Sequence, residues 1–183
     1  LRTLRSLCRV GTTAPKTRRA VRSVLAKRPQ LQFEVLEDRY LPSTFTVLNL
    51  NDSGPDSLRA AVGAANANPG ADTINFATTG TIALTSGQLD ITDSLTINGP
   101  GAGALTVSGN HVSRVFGLAG NPTVGIADLT VANGWTSGAP GGGIYMAGGN
   151  LTLDHVAVSG NSGGSDSYGG QGAGGGLYGG GGT

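Results

Sequence analysis

Four short segments of alternating apolar and polar residues end in closely related turns: LTING (95–99), LTVSGN (105–110), LTVANG (129–134) and VAVSGN (156–161). Leu105 and Leu129 lie 24 residues apart, and Leu129 and Leu151 lie 22 apart. The pentapeptide GGGIY (141–145) returns as GGGLY (174–178), with 33 residues between Ile144 and Leu177. Period-2 strands repeated at a spacing in the low twenties are the signature of a solenoid. One coil cannot bury two or three apolar side chains alone, but stacked coils bury them against their equivalents above and below. At about 23 residues per coil, the chain after Thr44 has room for roughly six coils.

Composition agrees with a turn-rich repeat. Glycine accounts for 33 of 183 residues, without the three-residue period of collagen. Short strands are expected at TFTVLNL (44–50), TINF (73–76), TIAL (81–84), LDIT (89–92), SLTI (94–97), ALTV (104–107), VGIADLTV (124–131), NLTL (150–153) and HVAV (155–158). Asn98, Asn110, Asn133 and Asn161 each follow a strand, where a left-handed corner residue is needed. They are expected to form either a stacked ladder or independent turns.

One segment breaks the β pattern. Leu58, Ala61, Val62 and Ala65 follow helical spacing, Asp56 or Ser57 is placed to cap the N-terminus, and Asn68-Pro69-Gly70 stops the run. A helix over 57–67 is therefore expected, positioned to cover the first coil and protect its unpaired edge.

Charge divides the chain. Residues 1–40 carry ten Lys/Arg against three Asp/Glu, and residues 41–183 carry Arg59 and Arg114 against eight Asp. Composition predicts a basic leader over 1–43, disordered over residues 1–30 and more apolar over 31–43, followed by a mildly acidic body over 44–183. No helix-turn-helix, zinc-finger or RNA-binding signature accompanies the basic residues, which argues against a nucleic-acid partner. No apolar run is long enough for a transmembrane helix, and the one cysteine, Cys8, permits no internal disulfide.

The leader ends in Leu36-Glu37-Asp38-Arg39-Tyr40-Leu41-Pro42-Ser43, which resembles the LEDR-x-LPS leader of large planctomycete surface and secreted proteins. That resemblance implies a targeting role for Leu36, Glu37, Asp38, Arg39, Leu41, Pro42 and Ser43. It also implies a secreted, cell-surface or outer-membrane location. DSLRAA (56–61), ANANPGADTINF (65–76) and SRVF (113–116) resemble the N-terminal block of bacterial right-handed parallel β-helix proteins. Residues 141–161 resemble the coil repeat of those proteins and of polymorphic outer-membrane adhesins. The implied fold is all-β: a right-handed, pectin-lyase-like parallel β-helix with an N-terminal capping helix. The glycine-rich tail is read as a solenoid truncated at its C-terminal end.

Candidate chemistry is sparse. A polysaccharide lyase needs acidic Ca²⁺ ligands and a basic residue, and the body's strong cations are Arg59 and Arg114 alone. Asp52/Asp56, Asp90/Asp93 and Asp128/Asp154 are carboxylate pairs, but turn residues explain each of them. His111 and His155 lack a metal-binding motif. Asp166 in NSGGSDSYGGQG (161–172) is a candidate for weak Ca²⁺ binding, with no supporting motif. Trp135, in the turn NGWTSG, is the one candidate carbohydrate contact. These observations lead to a structural or binding β-helix, adhesin- or matrix-like, with polysaccharide or cell-envelope components as partners and no cofactor. The alternatives are a polysaccharide lyase or glycoside hydrolase whose site lies in coils beyond residue 183, and a passenger domain attached to a membrane barrel.

Overall fold

Every pairing between named strands is parallel, and the strands sort into three sheets that the chain visits in rotation. The computed structural model describes residues 41–164 and 175–180. These residues belong to the second of two compact units, Asp38–Thr183. The expected leader and the whole targeting motif up to Tyr40 lie outside the described residues, as does Asp166.

The chain enters through β1 (Thr44–Val47) and α1 (Leu58–Ala67). Four coils of three strands follow. The first is β2 (Asp72–Phe76), β3 (Gly80–Ala83) and β4 (Leu89–Ile91). The second is β5 (Leu95–Asn98), β6 (Leu105–Ser108) and β7 (Phe116–Leu118). The third is β8 (Thr123–Ala127), β9 (Thr130–Ala132) and β10 (Ile144–Met146), and the fourth is β11 (Asn150–Asp154), β12 (Ala157–Ser159) and β13 (Leu177–Gly179). The sheets are β1-β2-β5-β8-β11, β3-β6-β9-β12 and β4-β7-β10-β13. The molecule is a parallel β-helix.

Register makes the core a set of columns. Ile74, Ile97 and Ile126 pair in succession on one inner face, Val107 and Val131 on the second, and Leu89, Phe116 and Ile144 on the third. All are at most 1% exposed. Each such side chain contributes about 1.5–3 kcal/mol by leaving water, but only because a like residue sits one strand spacing away, about 4.8 Å.

The coil count differs from the six expected because coil length varies. Asp72 pairs with Leu95, Leu95 with Val124 and Val124 with Leu151, which makes steps of 23, 29 and 27 residues. The 22-residue spacing from Leu129 to Leu151 is not a coil step. Leu151 pairs with Val124 in one sheet, whereas the residue paired with Val131 in the other is Val158. By contrast, the 33-residue GGGIY/GGGLY spacing is a true step, since Ile144 pairs with Leu177.

The expected helix forms with the expected face inward. Leu58, Ala61, Val62 and Ala65 are buried. Ser57, not Asp56, is the N-cap, and its side chain accepts a hydrogen bond from the Ala60 N–H. The helix packs against β1, β2 and β4. It therefore lies at the N-terminal end of the stack, as a cap must. Leu41–Ser43, read from sequence as the end of the leader, are bonded into this cap. The Ser43 N–H donates to Asp72 Oδ1 at 2.7 Å, and Asn68 Nδ2 donates to that same oxygen at 2.8 Å and to Ser43 Oγ at 3.1 Å.

Among the described residues no hydrogen bond joins any two of the four expected asparagines, so they do not form the ladder among themselves. Asn98 Nδ2 donates to Asn75 Oδ1, a ladder of two members. Asn110 and Asn133 occupy corners at positive φ, and Asn161 instead accepts from the Gly134 N–H and donates to the Val131 carbonyl.

Candidate binding surface

Trp135 follows a corner that the backbone holds rigid from both sides. Its N–H donates to the Ser113 carbonyl of the preceding coil, and it bridges Ser162 of the next. Ser162 in turn donates its N–H to the Gly134 carbonyl. The corner needs glycine because the loop between β9 and β10 folds back against it: a Cβ on Gly134 would overlap the Gly142 carbonyl. Trp135 is 43% exposed, and Val112, in the turn that Ser113 closes, is 56% exposed. A flat apolar ring on a fixed backbone with polar neighbours can stack against the apolar face of a sugar ring while its N–H stays free to hydrogen-bond.

Both cations considered for catalysis are engaged in ties between chain segments. Arg59, on α1, pairs with Asp52 at 2.7 Å and donates to the Gly87 and Gln88 carbonyls. Arg114 donates to the carbonyls of Gly141 and Pro140 in the loop before β10, and to Gln88 Oε1 in the loop before β4. Its guanidinium carbon sits 4.6 Å from the Tyr145 ring centroid. Gln88 completes the chain by donating to Asp90 Oδ1 at 2.6 Å. Burial lowers the Arg114 guanidinium below its ordinary value, and the charges of Tyr145 and Asp90 work the other way.

Asp52 is the most strongly bonded carboxylate. Burial works to raise its pKa, but hydrogen bonds from Ser86, Arg59 and Thr85 together hold it well below the usual carboxylate range.

The carboxylate pairs are not assembled as acid and base. Asp56 is an exposed turn residue at positive φ, separate in role from Asp52. Asp93 accepts from the Ser94 and Gly70 N–H groups at a coil corner. Asp154 pairs with Ala127 and not with Asp128, one residue out of the alignment that sequence suggested. His155 Nδ1 lies 3.0 Å from Asp154 and 3.9 Å from Asp128, on an exposed surface. Among the described residues no group of three His, Cys, Asp or Glu side chains is placed to hold a metal ion, and no helix is long and apolar enough to cross a membrane.

Sequence reasoning passed over Gln88, Tyr145 and Tyr178. The signal was present in the GGGIY/GGGLY recurrence, which places Tyr145 and Tyr178 in register. Comparison with models of known protein families matches none, and no curated protein matches the chain.

Proposed function

We propose that this chain is a structural and binding segment of a secreted or surface β-helix protein, adhesin- or matrix-like, which contacts polysaccharide or cell-envelope components at the Trp135 corner. One observation carries the reading. Arg59 and Arg114, the strong cations of the body, tie coils and loops together, while the aromatic at the Trp135 corner is held open to solvent. A lyase site within these coils would need one of those cations free to take a proton. The likeness of LEDRYLPS to surface-protein leaders supports an envelope destination.

The test is binding to immobilised neutral and acidic polysaccharides by the chain and by Trp135→Ala. Retention on at least one polymer, reduced about ten-fold or more by the substitution, supports the reading. Equal retention of both proteins contradicts the site, and depolymerisation of the polymer contradicts the non-enzymatic role.

A further inference from the structure

The two ends of the stack are not alike. At the N-terminal end α1 lies over the first coil, and Leu58, Val62 and Ala65 are at most 3% exposed. At the other end burial fails in every column at the same coil. Ile126 and Val131 are at most 1% exposed, whereas their register partners Leu153 and Val158 are only partly buried. Ile144 is fully buried, and its partner Leu177 is 46% exposed. β11, β12 and β13 each end their sheet, so each leaves one edge without a strand partner among the described residues. Among its described residues the fourth coil carries Asp154, His155 and Tyr178 as its ionisable side chains, with no Lys or Pro of the kind that blunts an edge strand.

We infer that the fourth coil is an acceptor surface for a further parallel coil, and that the columns specify what that coil brings. It brings aliphatic side chains over Leu153, Val158 and Leu177, and an aromatic ring onto Tyr178. The ring is specified because Tyr145 and Tyr178 stack 5.6 Å apart with planes 7° from parallel, and Arg114 covers the other face of Tyr145. Continuity with the coil-to-coil interface selects this occupant over a second copy of the chain. A second copy's N-terminal face is covered by α1, and apposing two C-terminal ends would reverse the strand direction that every existing pairing shares. The inference rests on burial and register in the fourth coil alone and is independent of polysaccharide binding.

The register gives a direct test. Gly180 donates its N–H to the Met146 carbonyl, and Ala147 donates its own to the Leu118 carbonyl. A copy of residues 120–146 fused after Gly180 therefore enters in phase. The expected result is amide exchange in β11, β12 and β13 slowed about ten-fold or more relative to the unextended chain, in a protein that sediments as a monomer. A second fusion carrying Val124→Lys, Ile126→Lys and Val131→Lys within the copy should leave exchange as in the unextended chain. Unchanged exchange on adding the native copy overturns the inference. So does an unextended chain that is already a dimer with β11–β13 protected, since a second copy would then be the occupant.

Discussion

Tyr145 and Tyr178, one coil apart in register, stack with centroids 5.6 Å apart, and Arg114 closes the far face of Tyr145 at 4.6 Å. Arginine, tyrosine and tyrosine thus form a short column on the outside of the solenoid, parallel to the aliphatic columns inside. The cation and the ring should be energetically coupled. In a double-mutant cycle of Arg114→Ala and Tyr145→Ala, the coupling should be about 0.5–1 kcal/mol, read from urea midpoints. A cycle that closes to zero would make Arg114 a tie to Gly141, Pro140 and Gln88 only.

Asp52 should give the protein an acid-labile contribution. Its folded pKa lies below the ordinary 3.8. The stability it confers is therefore complete above that value and is lost as pH falls below it toward the lower folded pKa. At pH 7, Asp52→Ala should cost about 2–3 kcal/mol, because it removes charged hydrogen bonds to Arg59, Thr85 and Ser86. The gap between wild type and variant should narrow as pH falls from 5 toward 2. A gap that stays constant over that range would mean the carboxylate acts through packing rather than charge.

Gly134 should tolerate no side chain. Its Cβ would collide with the backbone carbonyl of Gly142, which no rotamer change can relieve. Gly134→Ala should destabilise the fold by about 1–3 kcal/mol. Gly63→Ala, on the open side of α1 with nothing near its Cβ, should be neutral or stabilising by up to about 1 kcal/mol. Thermal unfolding of the two variants separates close approach from a general effect of removing glycine.

The targeting resemblance has its own test. Alanine at Leu36, Glu37, Asp38 and Arg39 should lower the secreted fraction of the protein without changing its unfolding midpoint. Leu41–Ser43 are left out of that substitution because they are bonded into the cap through Asp72 and Asn68. Secretion that continues undiminished removes the targeting role.

The β-helix was legible because its strands obey period 2 and its corners use Asn and Gly, and the cap helix because four apolar residues kept helical spacing against that background. Coil length was not legible. The chain takes three strands per coil, and a turn may hold two residues, as between Ala127 and Thr130, or many, as between Ala132 and Ile144. Leu129 and Leu151 look like equivalents because both precede Thr, yet Thr130 and Thr152 pair on different sheets. β7 was missed because Phe116-Gly117-Leu118 is short and has glycine at its centre. The site was half legible. The exposure of Trp135 follows from its place in a turn, but the engagement of Arg114 depends on carbonyls 26 and 27 residues away, which no local pattern announces.

One cysteine cross-link decides the register of the coils. Thr106 pairs with Thr130 across adjacent coils, which places the two within disulfide reach. Thr130 and Thr152 are 22 residues apart, matching the repeat read from sequence, but Thr152 pairs with Gly125 on another sheet. With Cys8→Ser as background, Thr106→Cys/Thr130→Cys should oxidise rapidly to an intramolecular disulfide, and Thr130→Cys/Thr152→Cys should not. A disulfide in the second pair and none in the first would contradict the three-sheet coil.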